Sequence, residues 1–222
     1  MADPRLFRLR VVFVKQGRLA MLSHLELCRA LERAVRRAGL PYAVSQGFSP
    51  HMRIAFGAAL PVGVGGSHEF FDLFLERYVA PQKCFDALVA ASAPDLMVQS
   101  CAYVEHSAPA ASVAFPVCTY RVEFSAAPDR FVTPEEVTVV RKKKEKTLSV
   151  SDFLVEPVRF DEEAPNVALF SLEAKPEGSL RPDVFVKSCI EATIASGGAA
   201  ADLRVITLTR VGQRSLSGEK LA

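Results

Sequence analysis

Residues 23–41, SHLELCRALERAVRRAGLP, limit the fold more than any other stretch. Ser23 stands three residues before Glu26, the spacing of a capping box in which each side chain satisfies the other residue's backbone N–H. Leu27, Leu31, Ala34, Val35 and Ala38 recur at helical spacing on one face. Arg29, Arg33, Arg36 and Arg37 share the other side. Gly39 is the residue type that ends helices in a left-handed conformation, and Pro41 cannot continue one. The stretch predicts a helix to about Ala38 with one apolar and one arginine-bearing side. Such a helix needs an apolar surface to lie on, because packing rather than propensity stabilises most helices.

The flanking segments supply that surface. LFRLRVVFV at 6–14 alternates and is rich in Val and Phe, which predicts a strand. PYAVSQ at 41–46, RIAFGAAL at 53–60 and SHEFFDLFLE at 67–76 read as further extended runs. Pro81 opens a second helix with Cys84, Phe85, Leu88 and Val89 inward, and DLMVQSCAYVEH closes with a strand. Strand, helix, strands, helix, strand is the split β-α-β order of ferredoxin-like domains. SAPAASVAFP at 107–116 reads as a small-residue link. Beyond it CTYRVEF is a strand, TPEE at 133–136 a capped helical turn, and 137–160 a strand, a basic turn and an extended segment. VALFSLEA, RPDVFVKSCIEATI and DLRVITLTRV read as strand, helix and strand. The expected architecture is α+β: two tandem ferredoxin-like (βαββαβ) halves with antiparallel sheets. The first spans 1–107, a linker covers 108–116, and a diverged second half spans 117–222 with a frayed tail, GQRSLSGEKLA.

Charge is uneven. Residues 1–53 hold ten Lys/Arg against Asp3, Glu26 and Glu32, a net +7, and the remainder carries −5. A basic front with an acidic remainder makes a one-sided field that favours anionic partners such as nucleic acid. Half the residues are hydrophobic, which suffices for a sizeable core. No run of about 18 apolar residues exists, so no membrane span is expected. MADPRLFRLR has no signal-peptide stretch, and a cytoplasmic location is expected. The five cysteines are scattered without C-x-x-C spacing, and no two of the four histidines lie four apart on a helix. Neither a metal site nor a cofactor is expected. No Walker loop or G-x-S-x-G elbow is present. GVGG at 63–66 reads as a hairpin turn, with a backbone-amide concavity for phosphate as the other reading.

What remains is a set of residues suited to anions. Ser45 to Arg53, SQGFSPHMR, puts Phe48, His51 and Arg53 in one turn shaped by Gly47 and Pro50. Phe48 is expected to pack on the core and anchor the turn; the other reading displays it to a partner, where it would stack on an unpaired base. Gln46, His51 and Arg53 are then expected beside the first turn of the helix, lining one groove with His24. Arg18 and the helix arginines extend this positive surface. The run Arg141, Lys142, Lys143 and Lys144 reads as a solvated turn or as a phosphate grip without sequence preference.

GRLAMLSHLELCRALERAVRRAGLPYAVSQGFSPHMRIAFGAALPVGV at 17–64 resembles the signature block of the radical SAM-linked family, a domain of unknown function found beside or fused to cobalamin-binding-type radical SAM proteins. Gly17-Arg18, Ser23-His24-Leu25, the Arg36-Arg37 helix end before Gly39-Leu40-Pro41, the Ser45-Gln46-Gly47-Phe48 and Pro50-His51 loop, and Leu60-Pro61-x-Gly63 carry the resemblance. RKKKEK and GSLRPD at 178–183 extend it, while Ser149 or Ser151 stands where the family pattern often has an acidic residue. The resemblance implies a radical SAM partner but no established reaction. The leading expectation is a non-catalytic module that binds RNA, or a ribosome-related particle, for that partner. One alternative is an RNA-processing or RNA-modifying enzyme using His24, His51 and Arg53 as acid, base and phosphorane stabiliser. The other is a protein–protein adaptor that docks on the radical SAM protein.

Overall fold

The strand expected at the N-terminus forms as β1, Phe7–Lys15, in a computed structural model that describes residues 6–141, 144–175 and 178–221. Both of its faces are buried, so its neighbours come from both sides of the sheet. A 3₁₀ turn at Gly17–Met21 follows, and then α1, His24–Arg37. The capping box is made: Ser23 N–H donates to Glu26 Oε2 at 2.9 Å, and Glu26 N–H donates to Ser23 Oγ at 3.4 Å. Leu27, Leu31, Ala34 and Val35 are buried, as the spacing predicts. Gly39 takes φ +65°, the left-handed conformation that side chains disfavour.

β2, Ile54–Phe56, pairs antiparallel with β3, Gly65–Leu75, which pairs antiparallel with β1. After α2, Pro81–Ala91, β4, Val98–Tyr103, adds to the other side of β1. The strand order in this unit is β4-β1-β3-β2. Leu9, Val11 and Phe13 of β1 and Phe71, Leu73 and Leu75 of β3 form one core with Leu27, Leu31 and Val35 of α1 and Cys84 and Leu88 of α2. The expected 41–46 strand does not form. Tyr42 and Val44 make only isolated bridges, to Leu75 and Met52, because the chain leaves the sheet edge there.

The opposite face of β1 and β3 is covered by the segment expected as a linker. It carries a short helix, α3, Ala111–Ala114, with Ala111, Ala114 and Phe115 buried. It belongs to the first of two compact units, Met1–Phe115 and Pro116–Ala222. Arg8 holds it down, donating to the carbonyls of Ala108 and Pro109 at 2.8 and 2.6 Å. Arg8 and Arg10 both grip the fully buried Asp72, at 2.7 and 2.8 Å. Arg10 also lies over the Phe70 ring, at 4.7 Å, and the Phe115 ring, at 5.3 Å.

The second unit contains β5, Val117–Phe124, then β6, Glu136–Arg141, and β7, Lys144–Ser149, which pair with each other. β8, Leu154–Phe160, β9, Val167–Glu173, α4, Pro182–Ala195, and β10, Val205–Arg214, complete it. The order β10-β5-β9-β8 matches that of the first unit, position for position. The difference lies after the first strand: α1 there, the β6–β7 hairpin here. TPEE forms no helical turn; its last residue, Glu136, opens β6. The two halves are thus α+β with antiparallel pairings inside each, but they are not copies of one βαββαβ plan. The tail is not frayed over its described residues: Leu221 N–H donates to Gln213 O and Arg214 bridges Lys220, folding the end back on β10. Among the described residues no helix is long and apolar enough to cross a membrane.

Candidate nucleic-acid interface

An α-helix turns 100° and rises about 1.5 Å per residue, so side chains four apart form a slowly drifting row about 6 Å apart. Arg29, Arg33 and Arg37 are such a row on α1. They line a groove of about 460 Å³ with Glu26, Leu19, Leu22 and Leu96. The far wall is set by the 3₁₀ turn at Gly17–Met21, which is tied to the Pro94–Leu96 turn through Gln16 N–H donating to Asp95 O at 3.0 Å. Gly17 takes φ +55° there, a left-handed conformation that side chains disfavour, and a Cβ on it would also displace the Asp95 carboxylate. Arg37 donates to the Ala91 carbonyl. Arg29 and Arg33 enter no ion pair among the described residues. Arg36 is outside the groove lining and pairs with Glu32 at 3.2 Å. Arg18 is exposed and does not line the groove either.

The SQGFSPHMR turn is the tip of a hairpin. Phe74 of β3 holds its base from both sides: Ala43 N–H donates to Phe74 O, and Phe74 N–H donates to Arg53 O. Ser45 N–H donates to His51 O, and His51 N–H to Ser45 Oγ, closing the neck at 2.8 and 3.0 Å. Ala43 and Met52 are the buried anchors. Phe48 is not: at 112% relative exposure it stands entirely in solvent at the tip. The expectation that Phe48 docks on the core is therefore wrong. Met52 fills that role because the Val44–Met52 pairing turns it inward and pushes residues 46–50 outward. Gln46 and His51 are exposed, and the Arg53 guanidinium lies 5.3 Å from the Phe74 ring centre.

His24 belongs to a different corner. Its ring meets Phe56 edge-on, with centroids 5.6 Å apart, and its Nε2 lies 3.5 Å from Cys28 Sγ. It lines a small cleft with Phe56 to Leu60, Glu69 and Phe70, which includes none of Gln46, His51 and Arg53. The shared groove expected for these four residues is not formed in this cleft. The hairpin excursion uses up residues 43–53, so the strand that returns to the start of α1 arrives there with Phe56. Burial, and then the charge of Lys15, push the His24 pKa below its ordinary value, favouring the neutral ring.

Sequence reasoning missed three residues here. Cys28 follows His24 by one helical turn, a spacing visible in the sequence. Lys15 and Glu69, at 1% and 6% exposure, share the odd-numbered parity of the core residues Leu9 to Phe13 and Phe71 to Leu75. A charged residue at an inward parity position is the signal that would have found them. GVGG at 63–66 is a turn followed by the start of β3: Gly63 takes φ +86°, and a Cβ on Gly66 would strike the Glu69 side chain.

Of the basic run, Arg141 and Lys144 are paired at the end of the β6–β7 ladder, and Lys142 and Lys143 lie outside the described residues. Among the described residues no three His, Cys, Asp or Glu side chains are grouped to hold a metal ion. A search of the curated proteins finds no match to the chain. A family model described as "Uncharacterized protein conserved in bacteria (DUF2344)" matches residues 8–182, most of the chain's length, and the chain belongs to that family.

Proposed function

We propose that the chain is a non-catalytic, cytoplasmic RNA-binding module that presents RNA or a ribonucleoprotein to a radical SAM partner. The observation that carries this reading is an acid-free stretch of chain. Residues 33–68 contain no Asp or Glu, yet hold Arg33, Arg36, Arg37, His51, Arg53 and His68. The same stretch places Phe48 wholly in solvent. An exposed aromatic ring on the same stretch of chain as several exposed cations suits an unpaired base and its phosphates, the pairing used by single-strand binders. A protein partner of ordinary composition would gain little from so one-sided a field. The resemblance of residues 17–64 to radical SAM-linked domains supplies the partner. The order β4-β1-β3-β2 with two helices supports a ferredoxin-like plan for the first unit. In the second unit that plan is modified, with a hairpin in place of the first helix.

The test is recovery of the tagged full chain from extract, with and without nuclease. RNA binding predicts loss of co-purifying particles after nuclease treatment and steep weakening with salt. A protein partner retained through nuclease treatment and high salt would refute the RNA reading and favour direct docking of Phe48 on a protein.

A further inference from the structure

We propose that the groove along α1 holds three consecutive phosphates of a single RNA strand and reads no bases; this inference rests on the RNA-binding reading above. Arg29, Arg33 and Arg37 stand in one row about 6 Å apart along the helix axis, all lining the same groove. Arg37 uses one donor on Ala91 O and has others of its five left for an anion. The opposite wall is Leu19, Leu22 and Leu96. These side chains offer no hydrogen bond to a base edge, so the wall accepts sugar and base faces without discrimination. Glu26 closes the N-terminal end of the row. Its carboxylate is fixed by Ser23 Oγ at 2.7 Å and Ser23 N–H at 2.9 Å, and it repels a fourth phosphate there. A duplex does not fit this geometry. The major groove of an RNA helix is too deep and narrow to admit α1, and the groove beside α1 is only about 460 Å³.

The experiment uses the full chain and fluorescein-labelled oligouridylate, oligoadenylate and a short RNA duplex, with anisotropy read from about 50 to about 200 mM KCl. The expected result is similar affinity for the two single strands and much weaker duplex binding. Each phosphate contact on a single strand contributes about −0.7 to the log–log salt slope. Arg29→Gln/Arg33→Gln should therefore flatten the slope by about 1.4, so that the loss of affinity over this salt range shrinks about sevenfold. Lys187→Gln, an exposed lysine on α4 of the second unit, should leave the slope nearly unchanged. If the wild-type chain binds single strands but the double variant keeps the full slope, or if duplex binds equally well, the groove assignment is wrong while the RNA reading stands. If the wild-type chain binds none of the three, the RNA reading itself falls.

Discussion

Asp72→Ala should destabilise the first unit by about 3 kcal/mol, the lower end of the roughly 3–5 kcal/mol expected when a buried pair loses one partner. The carboxylate is wholly buried and accepts four hydrogen bonds: two from Arg8 at 3.0 and 2.7 Å and two from Arg10 at 2.8 and 3.0 Å. Its removal leaves two guanidinium groups without a counter-ion, Arg8 at 6% side-chain exposure and Arg10 at 12%. The loss stays at the lower end because both retain other contacts. Arg8 keeps the Ala108 and Pro109 carbonyls, and Arg10 keeps the faces of Phe70 and Phe115. In urea, with a slope of about 2 kcal/mol/M, the midpoint followed by far-UV circular dichroism should fall by about 1.5 M. Amide exchange across 108–115 should speed up in the same variant, since Arg8 joins Asp72 to that segment. A midpoint shift under about 0.3 M, or unchanged exchange over 108–115, would refute the role assigned to this cluster.

Ser23→Ala should cost about 1 kcal/mol of stability by removing the α1 cap, measured by the same unfolding curve. The Glu26 carboxyl is held below its ordinary pKa first by the Ser23 hydroxyl and then by the Ser23 backbone N–H, so its contribution is complete above the unfolded carboxylate pKa and lost as pH falls through the lower folded value. NMR titration of Glu26 should show the low value in the wild type and its return toward normal in Ser23→Ala. His24 should titrate below its ordinary value, with the stability of the neutral ring present above the unfolded pKa and lost as pH falls through the folded one; Phe56→Ala should move the imidazole titration upward by exposing the ring. Burial pushes the thiol of the fully buried Cys189 up to about 12, so near pH 8 a thiol reagent should reach it only on unfolding, whereas the half-buried Cys28, though burial raises its pKa as well, should be labelled in the folded chain. Equal labelling rates at the two would contradict this.

The parts of the fold readable in the sequence are those governed by local rules. Ser23, Glu26 and Gly39 mark the ends of α1, and the spacing of Leu27, Leu31 and Val35 marks its buried face, all within one stretch of chain. The alternation in β1 and β3 likewise needs no distant partner. What was not readable depends on contacts far along the chain. The 108–115 segment is small, neutral and Pro-containing, and distant partners make it part of the first unit: Arg8, a hundred residues away, and Arg10 and Phe70 against Phe115. TPEE satisfies a helix-start pattern, but the chain continues into the β6–β7 ladder, where cross-strand pairing outweighs local preference. The candidate site divides in the same way. The arginine row follows from helical periodicity alone. The fate of Phe48 turned on whether Met52 or Phe48 faced inward, a choice made by the Val44–Met52 pairing and invisible to composition.

Ultraviolet cross-linking of the full chain to RNA in living cells, followed by peptide mapping of the nucleotide adducts, tests the central claim most directly. The account predicts RNA covalently recovered with the protein, with adducts on the peptide that carries Phe48, and loss of those adducts in Phe48→Ala while the folded circular dichroism spectrum is unchanged. Absence of cross-linked RNA, or adducts confined to other segments and indifferent to Phe48→Ala, would contradict it.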